Sequence, residues 1–180
     1  IRVMKSSNGT SWKKVSDSNV NASAWQCMCF GGNYYHGTDE MFFVALATDS
    51  NKMIYSSNLS AGDGKSWEKT NNISGGWQSI TFSSPLDLYV AVGDAGAVMY
   101  GGDPRVKFTS TSTGVPTADY KGVAYGDGKF VAVAEGTVMY SPDGINWTQV
   151  TDGITENSNK CIVWGKDKFV TLLLLDMEEM

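Results

Sequence analysis

One stretch decides the fold of this chain, and it reads Tyr120-Lys-Gly-Val-Ala-Tyr125, Phe130-Val-Ala-Val133 and Val138-Met-Tyr-Ser141. The three apolar runs have the length of strands, and the pairs Asp127-Gly128 and Glu135-Gly136 separate them. Such pairs favour tight hairpins, because glycine adopts a positive φ at no steric cost. Since no segment of the chain shows sustained helical periodicity with caps, the pattern predicts antiparallel strands and an all-β fold.

The same pattern recurs along the chain, and its copies align strand for strand. The first strands begin at Trp25, Trp77, Tyr120 and Asn159, so successive copies are 52, 43 and 39 residues apart. Second strands follow at 43–46, 89–92, 130–133 and 169–172, and third strands occur at 3–6, 53–56, 98–101 and 138–141. Repeats of about 40 to 50 residues are typical of the four-stranded blades of a β-propeller.

The repeats predict a single β-propeller domain over residues 1–180. With the strands of a blade lettered A to D, the chain opens with strands C and D (1–15) and closes with strands A and B (160–175). Three whole blades lie between them, at 25–70, 77–110 and 120–150. We therefore expect four blades, with one split blade formed by both termini, because a split blade closes the ring and removes open strand edges. Two alternatives stay open: an arc of a larger ring, or a ring completed by another copy in a homo-oligomer.

The turn between strands C and D carries the most specific motif, Ser-x-Asp-Gly-x-x-Trp. Its residues occur in three copies, of which the third is stretched: Ser141, Asp143, Gly144 and Trp147; Ser6, Asn8, Gly9 and Trp12; and Asp63, Gly64 and Trp67. A fourth copy, at 101–104, has lost its glycine and tryptophan. The motif predicts a structural role, in which side-chain oxygens accept hydrogen bonds from N–H groups of the turn and the tryptophan packs into the sheet.

This motif resembles the Asp-box, or BNR, repeat of sialidase-like β-propellers. The sequence Tyr125-Gly-Asp-Gly-Lys-Phe130-Val-Ala-Val133 is similar to propeller repeats common in phage and prophage tail or fibre proteins, and the resemblance covers nearly the whole chain. It implies a protein carried on a virion, and a cytoplasmic location is the alternative. No charged-then-apolar leader follows Ile1, so we expect no signal peptide.

Charge and cysteine content argue against several classes of partner. The formal net charge is −5 and the basic residues are not clustered, so we expect no nucleic acid binding, which requires clustered Lys and Arg. Apolar runs are too short for a membrane-spanning helix, so we expect no membrane insertion. Cys27, Cys29 and Cys161 are interpreted as small apolar side chains, and with the single His36 they offer too few ligands for zinc. We expect neither a metal nor a cofactor.

The resemblance to sialidases raises the question of catalysis. Family sialidases bind the substrate carboxylate with three arginines and use a tyrosine nucleophile assisted by a glutamate. This chain contains only Arg2 and Arg105, so one copy cannot build the triad, and His36 has no nucleophile elbow beside it. We therefore expect no enzymatic activity. A glycosidase with paired carboxylates stays open as a less favoured alternative, since the chain has 19 acidic residues.

Binding is expected at the end of the propeller where the D–A loops and B–C turns meet. These segments are rich in Asn, Ser, Thr and Asp, which suits ligands with many hydroxyl groups. The candidate ligand-binding residues are Trp25, Asp49, Asn51, Trp77, Asp94, Tyr120 and Glu135. The three aromatic residues open the A strands and could stack on sugar rings, but packing between blades is the competing interpretation, and their repetition favours it.

One insertion, at residues 31–40, lengthens the A–B connection of a single blade. It contains Tyr34, Tyr35 and His36, which blade packing does not require. We interpret these residues as a candidate contact loop for a ligand or another subunit. A tolerated surface insertion explains them equally well.

These patterns favour a non-catalytic recognition or structural propeller that binds a cell-surface glycan or a protein partner, such as another virion protein. The alternative is an intracellular assembly scaffold that holds a protein partner. A glycoside hydrolase is the third and least favoured hypothesis.

Overall fold

The computed structural model describes residues 3–15, 20, 23–33, 40–49, 52–56, 67–71, 73–154 and 158–174 of the 180-residue chain. Within these ranges the regular structure consists of β-strands and one three-residue 3-10 turn, Asp94–Gly96. The predicted all-β class, with four-stranded antiparallel sheets, is confirmed.

The described strands form five antiparallel sheets that follow one another in chain order. The N-terminal half-blade consists of β1 (Met4–Lys5) and β2 (Lys13–Lys14). Blade 1 consists of β3 (Trp25–Asn33), β4 (Glu40–Ala47), β5 (Lys52–Ser56) and β6 (Glu68–Asn71). Blade 2 consists of β7 (Trp77–Ser83), β8 (Leu88–Gly93), β9 (Val98–Gly101) and β10 (Thr109–Thr111). Blade 3 consists of β11 (Gly122–Gly126), β12 (Lys129–Ala134), β13 (Thr137–Ser141) and β14 (Thr148–Val150). The C-terminal half-blade consists of β15 (Ser158–Gly165) and β16 (Lys168–Leu174).

The predicted split blade would join the two half-blades, and its formation stays a prediction. Among the described residues the half-blades are separate two-stranded sheets, and β1 does not pair with β16. Val3 and Val15 of the N-terminal half-blade pack against blade 1, and Ile162 and Phe169 of the C-terminal half-blade pack against blade 3. The described strands therefore form an arc of three whole blades with half a blade at each end.

Each pair of A and B strands carries two aromatic residues directly opposite one another. These pairs are Phe30 with Phe43, Phe82 with Tyr89, Tyr125 with Phe130, and Trp164 with Phe169. In every pair the ring centroids are 4.6 or 4.7 Å apart. The rings lie on the face of the blade that points to the preceding blade, here called the preceding face. Because successive side chains of a strand alternate, their neighbours lie on the opposite, following face.

At two of the joints between consecutive blades, an aromatic ring of one blade covers a glycine of the blade before it, and we call this contact a glycine–ring joint. Phe82 of blade 2 covers Gly31 of blade 1, and Trp164 of the C-terminal half-blade covers Gly126 of blade 3. A Cβ atom at either glycine would overlap the ring. Between blades 2 and 3 the equivalent position is Ser83, which is buried. The missing side chains allow the sheets to approach closely.

The core lies between the blades rather than within any one of them. Val44 and Leu46, on the following face of blade 1, pack with Tyr89 of blade 2, and Val90 of blade 2 packs in the same way against blade 3. The Tyr89 hydroxyl donates a hydrogen bond of 2.6 Å to the carbonyl oxygen of Gly31, and burial raises the pKa of this tyrosine. The B strands are continuously apolar because neighbouring blades cover both of their faces.

The C–D turn of blade 3 is held by the side chains of its own motif. Ser141 Oγ accepts a hydrogen bond of 2.8 Å from the Gly144 N–H, and Asp143 Oδ1 accepts bonds of 2.8 Å from the N–H groups of Ile145 and Asn146. These are the bonds that the motif predicts. Burial opposes ionisation of Asp143, but the hydrogen bonds from Asn146, Ile145 and Ser141 outweigh it and lower its pKa to about 2.

The N-terminal copy of this turn forms the same bonds with an amide in place of the carboxylate. Asn8 Oδ1 accepts hydrogen bonds from the N–H groups of Thr10 and Ser11 at 3.0 and 2.9 Å. Ser6 Oγ accepts a bond of 2.9 Å from the Gly9 N–H. The turn therefore needs a side-chain oxygen at this position, and it does not need a charge.

The tryptophans of the motif differ in burial. Trp67 and Trp147 are buried, whereas Trp12 is exposed, which contradicts the prediction that it packs into the sheet. Trp147 packs among residues of blades 2 and 3. The preceding face of the N-terminal half-blade has no such neighbour among the described residues, and Trp12 only donates a hydrogen bond to Gly9 O. Asp63 and Gly64 lie outside the described residues.

Gly126→Ala is expected to destabilise the fold by about 1 to 3 kcal/mol, because the added methyl group overpacks the Trp164 ring. Urea denaturation measures this change in the free energy of unfolding. Gln149→Ala, on the exposed side of β14, is the control and is expected to change it by less than about 0.5 kcal/mol. Equal free energies for Gly126→Ala and the wild type would contradict the glycine–ring joint.

The turn at Asp143 predicts a pH dependence of stability. The folded pKa of about 2 lies below that of an unfolded Asp, so the stabilisation is present above the unfolded pKa and is lost as the pH falls through the folded one. The stability advantage of the wild type over Asp143→Asn is expected to shrink from about pH 5 to about pH 2. Asn8→Ala is the control, since its effect involves no titrating group. If the advantage over Asp143→Asn were constant across this range, the assignment would be wrong.

Candidate functional site

The D–A loops and B–C turns lie at one end of the arc, and the A–B and C–D turns lie at the other. Between blades 2 and 3, the B–C turn Asp94–Gly96 contacts the D–A loop at 112–121. Polar side chains from both blades converge at this joint. We call Gln78, Asp94, Asp119 and Lys121 the Asp94 cluster.

The Asp94 carboxylate connects the two blades. The amide Nε2 of Gln78, on β7 of blade 2, donates to its Oδ1 and Oδ2 atoms at 3.2 and 3.3 Å. The ammonium Nζ of Lys121, just before β11 of blade 3, lies 3.2 Å from Oδ1. Both partners of this ion pair are partly exposed, so the cluster presents a carboxylate, an ammonium and an amide to solvent.

Backbone hydrogen bonds hold the same turn in place. Ala95 has a φ of 55°, a left-handed conformation that costs a residue with a Cβ on the order of 1 kcal/mol. Its N–H donates a hydrogen bond of 2.8 Å to Asp119 Oδ1, and the Gly96 N–H donates one of 2.7 Å to Ala118 O. The loop at 112–121, which leads into blade 3, therefore stabilises a strained turn of blade 2 beside the Asp94 cluster.

Trp77 and Tyr120 do not serve as stacking surfaces, which corrects the sugar-stacking interpretation for these two residues. They are 1% and 0% exposed. Trp77 Nε1 donates a hydrogen bond of 2.8 Å to Ile73 O, and Tyr120 Oη donates one of 3.2 Å to Pro116 O. Burial also raises the pKa of Tyr120. Both side chains pack between blades and fix the D–A loop that precedes their own strand.

The other predicted site residues are spread over several blades. Trp25 is partly buried and packs beside the cluster formed by Ala45, Ile54 and Trp67. Asp49 and Glu135 are exposed in the B–C turns of blades 1 and 3. The remaining candidates lie outside the described residues: Asn51, Tyr34, Tyr35 and His36.

Three residues of the Asp94 cluster were missed by the sequence analysis, namely Gln78, Asp119 and Lys121. A signal for two of them exists in the repeats. The residue after the first position of each A strand is polar in all four copies, as Gln26, Gln78, Lys121 and Lys160. A polar residue that recurs between apolar ones points to an exposed end of the strand, and this is where the cluster lies.

The cysteine and carboxylate side chains were candidates for metal binding and for nucleophilic chemistry. No group of three or more His, Cys, Asp and Glu side chains in these ranges could hold a metal ion. Burial raises the pKa of Cys27 to about 12, with a contribution from Cys29, and burial raises that of Cys29 to about 11. Both thiols are therefore protonated at neutral pH and poorly nucleophilic. No helix in the described part of the chain is long and apolar enough to cross a membrane.

No family model matches this chain, and no curated protein matches it either. Solved structures similar to it are β-propellers. The computationally designed Ika4 protein superposes with a TM-score of 0.60 at 14% identity, over 84% of this chain and 86% of that one. At such identity the similarity shows the fold alone.

Two natural proteins are similar over a smaller share of their own length. YCF48 bound to D1 peptide matches with a TM-score of 0.58 at 13% identity, over 92% of this chain and 51% of that one. A catalytically inactive variant of virginiamycin B lyase from Staphylococcus aureus with quinupristin matches with a TM-score of 0.61 at 12% identity, over 83% and 49%. This chain therefore spans about half the length of these two proteins.

Asp119→Ala is expected to loosen the B–C turn of blade 2, because the Ala95 N–H loses its acceptor. The loss of about 1 kcal/mol corresponds to a roughly fivefold faster exchange of that amide. Hydrogen exchange measured by NMR reports the Ala95 amide directly. Asp152→Ala, at an exposed position in the next D–A loop, is the control. Unchanged exchange at Ala95 in Asp119→Ala would show that this bond does not hold the turn.

Proposed function

We propose that this chain is a non-catalytic recognition propeller that binds a protein segment at the Asp94 cluster. The observation that carries the proposal is the cluster itself, in which a carboxylate, an ammonium and an amide are held together at the joint between blades 2 and 3 and remain accessible. Binding residues are commonly found on loops that a rigid scaffold positions.

The exposure of the ion pair supports binding rather than a purely structural role. The side chains of Lys121 and Asp94 are 34% and 45% exposed. An ion pair in this environment contributes roughly 0 to 1 kcal/mol, so either group can exchange its partner for a ligand at little cost. A peptide supplies matching groups, because its N–H groups can bind the Asp94 carboxylate and its carbonyl or carboxylate oxygens can bind Lys121 and Gln78.

The burial of the aromatic residues favours a protein segment over a sugar. With Trp77 and Tyr120 inaccessible, two of the three predicted stacking rings are removed from the surface. Of the similar structures, YCF48 is bound to a peptide, which supports protein binding as a use of this fold. The partner class is compatible with either a virion protein, as the resemblance to phage tail and fibre repeats implies, or an intracellular assembly.

A glycan is the second candidate ligand, and Trp25 is the observation that favours it. Trp25 is only partly buried, whereas Trp77 and Tyr120, the other two predicted stacking residues, are fully buried. It lies at the start of β3 in blade 1, near the exposed Asp49 of the same blade. A cell-surface sugar would therefore be expected to bind at blade 1, away from the joint between blades 2 and 3.

We do not propose catalysis of the sialidase type. Tyr55 Oη donates a hydrogen bond of 2.7 Å to Glu68 Oε2, which resembles the pairing of a tyrosine nucleophile with its glutamate. Burial and the Glu68 carboxylate raise the pKa of Tyr55 to about 12. The sialidase type also needs three arginines on the substrate carboxylate, and this chain contains two.

Selection of a displayed random-peptide library on the chain tests the proposal. We expect a family of related peptides whose affinity, measured by calorimetry, falls at least about tenfold in Lys121→Ala and Gln78→Ala, since each loses a charged or amide hydrogen bond. Lys129→Ala is the matched control, because Lys129 pairs with Asp127 on the same blade at the opposite end.

A glycan array run in parallel separates the two candidates. Sugars that bind the wild type but lose affinity in Trp25→Ala, without any selected peptide, would favour the second candidate and overturn the first. Peptides that bind all variants equally would show that the Asp94 cluster is not the site. The absence of any bound peptide or sugar would overturn the recognition function itself.

A further inference from the structure

Large apolar side chains exposed to solvent are concentrated at the two ends of the arc. Of the eleven in the described ranges, these eight lie on the half-blades or on the blade faces beside them: Met4, Trp12, Met28, Phe30, Tyr140, Val163, Val170 and Leu172. The other three lie near turns: Met41, Leu86 and Val106. An apolar concentration of this kind marks an interaction surface.

The C-terminal half-blade exposes a face that every whole blade covers. Val44, Val90 and Val131 occupy equivalent positions on the following faces of blades 1, 2 and 3, and they are at most 8% exposed. Their equivalent in the C-terminal half-blade, Val170, is 54% exposed, and Leu172 beside it is 65% exposed. This face is built like an inter-blade interface, and no described strand covers it.

The glycine–ring joint is incomplete at both ends in complementary ways. Gly165 of the C-terminal half-blade is equivalent to Gly126, yet no described residue lies within 4 Å of the position that its Cβ would take. At the other end, Phe30 of blade 1 is equivalent to Phe82, yet it is 49% exposed. At the C-terminal end of the arc, no described aromatic ring covers the glycine. At the N-terminal end, the aromatic ring covers no described glycine.

No strand in the described part of the chain covers the preceding face of the N-terminal half-blade. Met4 is 55% exposed, although its equivalents Met99 and Met139 are fully buried between blades. Trp12 is 58% exposed, although its equivalent Trp147 is buried. In blades 2 and 3 the preceding blade covers the equivalent residues. Because the blade that precedes a split blade in the repeat order is blade 3, we expect the N-terminal half-blade to pack against a blade 3.

We infer that a second copy of this chain covers both ends. The C-terminal half-blade of one copy supplies strands A and B, and the N-terminal half-blade of the other supplies strands C and D of the same composite blade. Phe30 of the second copy then covers Gly165 of the first, and Val170 and Leu172 are buried as their equivalents are. The contact continues the inter-blade interface that the chain already forms internally.

The repeat also specifies the strand pairing of this composite blade. In blade 3, β12 and β13 place Phe130 opposite Ser141 and Ala132 opposite Met139. The same register places Thr171 of β16 opposite Met4 of the other copy. Each copy contributes three whole blades and two halves, so two copies form a closed ring of eight blades, at the upper end of the usual range of about four to eight.

A second copy is a better occupant than the chain's own opposite end. Closure within one chain requires the two half-blades to pair, whereas among the described residues they form separate sheets. To bring them together, the angles between consecutive blades would have to change. Glycines covered by aromatic rings leave little room for such a change, because packed interiors deform poorly. A head-to-tail contact between two copies covers the exposed apolar faces at both ends and leaves the angles between consecutive blades unchanged.

Light scattering on the purified 180-residue chain tests the inference. The expected mass is twice the chain mass of 19.5 kDa. Leu172→Asp places a charge on the covered face and is expected to raise the dissociation constant at least about tenfold. Gly165→Ala, which adds a methyl group beneath the Phe30 ring, is expected to weaken the assembly in the same direction. Val106→Asp, an equally exposed apolar position away from the ends, is the matched control and keeps the mass of two copies.

Mixing variants tests the head-to-tail arrangement. Leu172→Asp disrupts one end of the arc and Phe30→Asp disrupts the other, so each variant alone is expected to have the mass of one chain. A mixture of the two retains one intact contact and is expected to regain a species of two chains. A mixture that stays at the mass of one chain would contradict the arrangement. Far-UV circular dichroism shows that the variants are folded.

A disulfide between Met4→Cys and Thr171→Cys identifies which chain supplies β1. The chain has three cysteines of its own, of which Cys161 is exposed, so the variants are made in a Cys161→Ser background. If β16 pairs with β1 of another copy, oxidation yields a covalent species of two chains, and neither variant that carries only one of the two introduced cysteines does. A covalent single chain would show closure within one copy and overturn the inference. A wild-type mass of one chain at about 100 μM, far above the Kd of a stable dimer, would overturn it as well, since the ends would then require a different partner.

Discussion

The contact of an aromatic ring with a glycine of the blade before it is the constraint on which this structure depends. At Gly31 and Gly126 the missing side chain lets two sheets approach closely enough for both faces of a B strand to be buried. No blade has a core of its own, because its apolar faces are covered only by the blades on either side. The fold is therefore a series of nearest-neighbour contacts, as in other repeat proteins.

The location of the candidate site follows from the packing of blade 2 against blade 3, where Ser83 stands at the position of the covered glycine. The Asp94 cluster takes Gln78 and Asp94 from blade 2 and Asp119 and Lys121 from blade 3, so it exists only where two blades pack. Its side chains come from loops and strand ends, outside the buried faces. The residues that position this surface can thus be separated from those that bind, which allows one propeller scaffold to serve different partners.

Much of the fold could be predicted from the repeats, whereas the site could be predicted only in part. The hydrogen bonds of Ser141 and Asp143 follow from the motif because each joins residues no more than three apart. Asp94 was recognised from its place in a B–C turn. Trp77 and Tyr120 were compatible with both stacking and packing, and only their burial decides between the two. Gln78 and Lys121 meet only across a joint, which no local pattern reveals.

The sequence by itself determined the order of the strands, the length of the repeat and the positions of the hairpins. These features depend on residues that are close in the chain, where glycines and alternating apolar residues leave few choices. Only the tertiary structure decided that Trp12 is exposed while Trp147 is buried, and that the two half-blades are separate sheets. These outcomes depend on the angle between consecutive blades. That angle is set by contacts between residues some 40 or more positions apart, such as Phe82 on Gly31, and its effect accumulates along the arc.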